Sequence, residues 1–367
     1  MKKVLWVDIY PSPYRVDFYN QLGKYCDLTV VFEKATSHER DKSWANYKFE
    51  TFKGIILKSK KIYKTHVFCP EVKKYLSSGE YDQILVGYIH SLTALYSMRY
   101  MKRKKIPFTF EGDGGFPGSG KGFKERLKKS LISAAEEWYS SSKLFDEYCL
   151  LYGAKKDKVY RYHFSSYHDE DVLEKPLTKE EKLEIREKLG IKEEKVILSV
   201  GRFIYCKGYD LMLPACAALG GNVGVYIVGG EPTEEYLELV KKHNLKNVHF
   251  VSFLSKEEVA EYYKMADLFA LATRDDTWGL VVNESMAYGL PVITTSGAVA
   301  GTELVNDETG KLIPPNDGEA LEKAMVELIE NDELREPMAE KCLETARKYT
   351  IEKMVEDHVK LMGLKKD

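Results

Sequence analysis

Two carboxylates, Asp276 and Glu284, lie eight residues apart in the stretch Asp275-Asp276-Thr277-Trp278-Gly279-Leu280-Val281-Val282-Asn283-Glu284. The stretch straddles the start of a predicted helix. Asp275, Asp276 and Thr277 offer oxygens of the kind that cap a helix N-terminus, and Gly279 permits close backbone approach. Leu280, Val281, Met286 and Ala287 give an apolar face, Gly289 ends the helix, and Pro291-Val292-Ile293 opens a buried strand. The unpaired N–H groups of a helix start carry partial positive charge and suit a phosphate. Glu284 lies five residues past Gly279, or ~7.5 Å along the axis at helical rise, which is about the reach from a diphosphate to a ribose. Asp276, ahead of the helix, faces whatever projects from the other side. One segment therefore has the chemistry to hold a nucleotide with a sugar attached.

Two cations complement it. Arg202 and Lys207 sit in Val200-Gly201-Arg202-Phe203-Ile204-Tyr205-Cys206-Lys207-Gly208-Tyr209-Asp210, after the apolar run 196–200 and before a helix pattern with Leu211, Leu213 and Ala217. In such a strand-to-helix loop, Arg as a fork and Lys as a point charge can neutralise a diphosphate. Further candidates fall at other predicted strand ends. Gly229 opens Gly229-Gly230-Glu231-Pro232 after the strand 225–228, and Phe253 and Leu254 follow the strand 248–251. In the first half, His90 follows the strand 83–86, and Glu111 and Asp113 follow 108–110. Ligands of open parallel sheets bind at the carboxyl ends of strands, which makes these three candidates for contact with a substrate.

The segment from Trp278 to Ile293 resembles the E-x7-E signature of the retaining glycosyltransferases of family 4, with Asp276 in place of the first Glu. The Arg202–Lys207 spacing is similar to that family as well. The resemblance implies a GT-B fold and transfer of a hexose from a nucleoside-diphosphate sugar to a hydroxyl, with retention at the anomeric carbon. It implies that Arg202 and Lys207 act on the donor diphosphate, joined by backbone around Thr277, Gly279 and Leu280. Glu284 would bind the ribose, Asp276 the sugar, Gly229 would lie near the nucleotide, and Phe253 and Leu254 would contact the base. No D-x-D motif ends a strand, so neither metal nor other cofactor is expected. The first half departs from the family: many members have a Gly-Gly loop after the first strand. Here the loop is Tyr10-Pro11-Ser12-Pro13-Tyr14-Arg15, as in a subset. Tyr14, Glu111 and His90 are the acceptor-side candidates, and Asp113 is a catalytic one.

Elements must bring these residues together. Apolar runs at 4–7, 28–32, 83–86, 108–110 and 137–140 alternate with helical patterns at 14–25, 92–101 and 123–135, and the rhythm restarts at Val196. This is the βαβ alternation of parallel sheets with helices on both faces. A chain of 367 residues is long for one core. Two doubly wound, Rossmann-like domains facing across a cleft are expected, at 1–170 for the acceptor and 177–348 for the nucleotide-sugar. An exposed linker near Pro176 joins them. A last helix in 349–367 crosses back to the first domain, as the resemblance implies.

Apolar residues are 44% and charged residues 31% of the chain, a water-soluble balance. A net charge of −2 gives no overall drive toward nucleic acid. The six cysteines are scattered, without C-x-x-C, which suits a reducing compartment and a cytoplasmic setting. Asp8 interrupts the first apolar run at once, so a strand is expected there instead of a signal peptide. Lys121, Lys124, Arg126, Lys128 and Lys129 interleave with Phe123, Leu127, Leu131 and Ile132. Such a basic amphipathic helix could lie on the anionic inner face of a membrane, near a glycan or lipid-linked acceptor. Three other functions compete: an epimerase acting on nucleotide-sugars, a non-catalytic nucleotide-sugar-binding module and a P-loop NTPase. Gly115-Phe116-Pro117-Gly118-Ser119-Gly120-Lys121 fits G-x-x-x-x-G-K, but Gly122 stands where a P-loop needs Ser or Thr.

Overall fold

The structure, a computed structural model, describes residues 1–36, 47–63 and 66–365. The chain divides into two compact units, Met1–Ser166 with Thr350–Asp367, and Tyr167–Tyr349.

The first unit contains strands β1 (Lys3–Asp8), β2 (Asp27–Phe32), β3 (Lys53–Ile56), β4 (Lys60–Tyr63), β5 (His66–Phe68), β6 (Gln83–Gly87), β7 (Thr109–Gly112), β8 (Glu137–Ser140) and β9 (Val159–Arg161). Its helices are α1 (Pro13–Leu22), α2 (Val72–Leu76), α3 (Leu92–Lys104), α4 (Phe123–Ile132) and α5 (Lys143–Leu151). Seven strands form a parallel sheet in the order β3-β2-β1-β6-β7-β8-β9, with β4 and β5 paired apart as an antiparallel ribbon. β1 reads Lys-Val-Leu-Trp-Val-Asp and is buried beyond Lys3, as a strand covered on both faces must be. Its neighbours β2 and β6 lie on opposite sides of it, so the chain reverses direction across the sheet at β1.

The second unit contains β10 (Lys195–Val200), β11 (Val223–Val228), β12 (Val248–Val251), β13 (Leu268–Leu271), β14 (Val292–Thr295) and β15 (Gly310–Ile313). Its helices are α6 (Lys179–Leu189), α7 (Tyr209–Ala215), α8 (Glu234–Lys242), α9 (Lys256–Met265), α10 (Leu280–Ala287), α11 (Val299–Leu304), α12 (Gly318–Glu330) and α13 (Asp332–Ala346). The strand order is β12-β11-β10-β13-β14-β15, all parallel. The reversal falls between β10 and β13, where a doubly wound sheet opens a crevice for ligands. The loops leaving these two strands are those of Arg202–Lys207 and Asp275–Gly279.

The last helix, α14 (Ile351–Leu361), packs on α1 of the first unit. His358, fully buried, lies 4.8 Å from Phe18 and 5.8 Å from Trp6 between ring centroids.

The stretch around Pro176 is exposed at Glu174, Lys175 and Thr178, yet it is tied to the second unit. Leu173 N–H bonds the Ala287 carbonyl at 3.0 Å, and Arg347 donates to the carbonyls of Leu173 and Glu174. The charged α6 that follows is docked. Thr178 and Glu181 form a capping box, and Gly190 ends the helix at φ 72. Buried Arg186 donates to the Met265 carbonyl and to Asp267, a partner 81 residues away.

Candidate functional site

Lys207 and Asp276 meet. The ammonium of Lys207 lies 2.5 Å from Oδ2 of Asp276, both side chains largely covered. They come from the two loops that leave β10 and β13, and the chain's turns explain why. After β10, residues Tyr205–Lys207 form a single 3-10 turn, and Gly208 follows at φ 72. A Cβ on Gly208 would sit 2.0 Å from the Ala272 carbonyl oxygen, so only glycine lets this loop lie against the end of β13. Arg202 is half-buried in the same loop.

Asp276 is fixed through its backbone. Its N–H bonds the Gly297 carbonyl at 2.8 Å, and its carbonyl accepts from Val299, so residues 276–278 run beside 297–300. Gly279, at φ 96, turns the chain into α10. No side chain caps this helix, contrary to the expectation for Asp275, Asp276 and Thr277. Asp276 is committed to Lys207, and Thr277 is exposed. Glu284, one turn into α10, accepts from the hydroxyl of Tyr263 at 3.1 Å. Tyr263 is buried and stacks on Tyr288, rings 5.2 Å apart and nearly parallel at 4°. Burial and the neighbouring carboxylate hold its phenol well above the usual range, so it stays a donor to Glu284.

Gly229 has a packing reason of its own: a Cβ there would meet the Gly201 carbonyl oxygen at 1.9 Å. Beyond β12, Phe253 is 52% exposed and Leu254 half-buried. The carboxyl ends of β10, β11, β12 and β13 thus carry Arg202, Lys207, Gly229, Phe253, Leu254 and Asp276.

In the first unit the outcome differs. Glu111 and Asp113 do not face outward from the end of β7. Glu111 is fully buried, bonded by Arg15 at 3.0 Å and next to His358 Nε2 at 3.3 Å. Asp113 accepts from Arg15, Tyr88 and Tyr162. Burial would raise both carboxyls. Arg15 and His358 outweigh it at Glu111 and hold it low, whereas Asp113 is pushed up to about 6. These acids neutralise a buried Arg15, which their sequence position at a strand end could not reveal. Tyr14 is half-buried against Phe164, and His90 is exposed. The G-x-x-x-x-G-K segment lies in the irregular loop between β7 and α4, with residues 117–122 exposed.

Two features escaped the sequence reading. Arg274 grips Asp210 through two 2.7 Å contacts and lies 4.1 Å over the ring of Tyr205. Glu33, buried just past β2, accepts from Ser91, and burial pushes its carboxyl up to about 7. An arginine beside two aspartates reads as a solvated loop residue, and its partner is 64 positions away.

Among the described residues, no group of three or more His, Cys, Asp or Glu side chains could hold a metal ion, and no helix is long and apolar enough to cross a membrane. All six cysteines are free.

Residues 181–348 match the family model described as glycosyl transferases group 1, within the second unit. An uncharacterized glycosyltransferase of Methanocaldococcus jannaschii is 30% identical over 169 residues, 46% of this chain and 46% of that one. The D-rhamnosyltransferase WbpZ of Pseudomonas aeruginosa is 30% identical over 214 residues, 57% of this chain and 52% of its own. The chain thus spans about half the length of the curated relatives it matches. The Anabaena protein HepE, solved in complex with UDP, superposes with a TM-score of 0.77 at 15% identity, covering 99% of this chain and all of that one. That likeness shows the fold, which is GT-B.

Proposed function

We propose that the chain transfers a hexose from a nucleoside-diphosphate sugar to a hydroxyl of a glycan or lipid-linked acceptor, with retention, in the synthesis of cell-surface polysaccharide. The observation that carries this reading is the Lys207–Asp276 pair at the crevice between β10 and β13. An ammonium held there can neutralise a leaving diphosphate without a metal, and a carboxylate beside it can hold a hydroxyl of the sugar. Arg202 adds a second cation, and the backbone at Gly279 and Leu280 adds N–H donors at the start of α10. Glu284, held by Tyr263, suits the paired hydroxyls of a ribose. The family match over 181–348 supports the class of reaction. HepE binds UDP at least, which makes UDP-sugars the first donors to try. Retention without a covalent intermediate would let the departing phosphate take the acceptor's proton. Tyr14 and His90 remain the acceptor-side groups, because Glu111 and Asp113 are enclosed.

Calorimetric titration with UDP, GDP and their sugars tests this. Lys207→Ala should weaken diphosphate binding by roughly 1.5–3 kcal/mol, the range of a hydrogen bond to a charged group. Glu284→Gln should weaken free nucleotide and donor alike. Asp276→Asn should leave free nucleotide nearly untouched and lower turnover, since its contact is to the part of the donor that changes in the transition state. Turnover should persist in EDTA. Equal losses of nucleotide affinity in Asp276→Asn and Glu284→Gln, or activity abolished by chelation and restored by Mn²⁺, would overturn the reading.

A further inference from the structure

Arg274 uses nearly all of its guanidinium inside the protein. Nη1 and Nη2 donate to the two carboxylate oxygens of Asp210 at 2.7 Å each, in the first turn of α7. Nη1 also donates to the Tyr205 carbonyl at 2.7 Å, and Nε to Oδ1 of Asn316 at 2.6 Å. The guanidinium carbon Cζ lies over the Tyr205 ring, 4.1 Å from its centroid. The backbone repeats the link: Arg274 N–H and the Thr273 hydroxyl both donate to the Cys206 carbonyl, at 2.6 and 2.8 Å. All these partners but Asn316 belong to one short stretch, Tyr205 to Asp210, which contains Lys207. Asp276 lies two residues past Arg274. Tyr205 is otherwise exposed, so little else packs that side of the turn.

We propose that Arg274 is a positioning residue for the Lys207–Asp276 pair: it clamps the Tyr205–Lys207 turn to the end of β13 and leaves donor contact to Lys207. The inference deepens the reading above and rests on Lys207 meeting the diphosphate. Only a fork of donors can meet both oxygens of Asp210 and the Tyr205 carbonyl at once, so lysine cannot replace it. Without the clamp the turn moves and carries the ammonium with it. A misplaced charge loses affinity even though nothing that touches the ligand has changed.

The test uses the full chain, UDP and GDP as probes, and hydrogen exchange in the free protein. In Arg274→Met, diphosphate affinity should fall roughly tenfold, the size of one charge-assisted contact. In a Lys207→Ala background the same change should cost nothing further, since neighbours acting through one group are not additive. Exchange should quicken in 202–207 and stay unchanged in β10 and β14. If Arg274→Met loses the fold, Asp210→Asn keeps the arginine and carries the same readouts. Wild-type affinity in the arginine variant, or additive losses in the double variant, would overturn the proposal while the diphosphate reading stands. If Lys207→Ala alone binds normally, the diphosphate reading falls. Exchange then decides the clamp: a faster turn upholds it, and an unchanged turn ends it.

Discussion

A buried carboxyl whose neighbours cannot offset its burial must change its proton affinity, and Glu33 is such a group, since Ser91, Lys34 and Thr93 only partly counter its desolvation. It is 3% exposed, its partners are hydroxyls, and its carboxyl is pushed from 4.5 to about 7. Between those two values the folded chain keeps a proton that the unfolded chain has released. Stability is therefore greatest below about pH 4.5 and falls as pH rises through 7, by up to about 3 kcal/mol from this residue. Glu33→Gln should remove that slope. Chemical denaturation near pH 5 and pH 8 checks it: the variant should gain on the wild type only at the higher value, and an equal difference at both would refute the assignment. Residues of this kind were not legible in the sequence, because burial was needed to tell Glu33 from a surface glutamate. Lys207 and Asp276 were legible individually, through residue type and local spacing. Their direct contact was not, since it joins positions 69 apart.

At the scale of elements, the site depends on two strand ends approaching closely, and glycine permits it. Gly208 stands at φ 72 with the Ala272 carbonyl where a Cβ would go. Both are backbone constraints, so no side-chain rotation relieves them. Gly208→Ala should destabilise the protein by more than about 1 kcal/mol and weaken diphosphate binding together, because the loop that carries Lys207 must shift. Thermal melts and UDP titration measure the two effects. A variant with wild-type melting and affinity would show the close approach to be dispensable. The alternation of strands and helices was readable because buried strands such as β1 and β10 are largely apolar runs. β3, β9 and β15 were not read. Each is three or four residues long and lies at a sheet edge, with half-buried or exposed positions that give no such run. The ribbon β4–β5 is equally short and rich in lysine. In helix α6 the high charge conceals the docking of Arg186.

For the whole molecule, the net charge of −2 conceals a division. The first unit has 34 Lys and Arg against 22 Asp and Glu, a net of +12, and the second has 21 against 35, a net of −14. The sum gave no sign of it, because the division follows the units. Most of the excess lies in one stretch. Residues 99–132 hold ten basic residues and three acidic ones, of which Glu111 and Asp113 are buried against Arg15. Arg99, Lys102, Arg103, Lys104 and Lys105 on and after α3, and Lys121, Lys124, Arg126 and Lys129 in and before α4, are exposed. The two helices adjoin: Lys102 bonds the Ser130 carbonyl and hydroxyl at 2.7 and 2.8 Å. Phe123 at the start of α4 is 81% exposed amid these charges. A basic face with an apolar anchor suits an anionic bilayer, each cation contributing about 1 kcal/mol near the surface. The protein should pellet with vesicles containing phosphatidylglycerol and remain free with phosphatidylcholine alone. High salt, which shortens the screening length to a few ångströms, should release it. Reversing Lys121, Lys124 and Lys129 to Glu should lower partitioning by at least roughly tenfold, as several surface charges are worth. Phe123→Ser should lower it less. Reversing Lys241, Lys242 and Lys246 in the acidic unit should change nothing. Equal pelleting with neutral vesicles, or wild-type pelleting of the α4 charge-reversal variant, would show that this face does not meet a membrane.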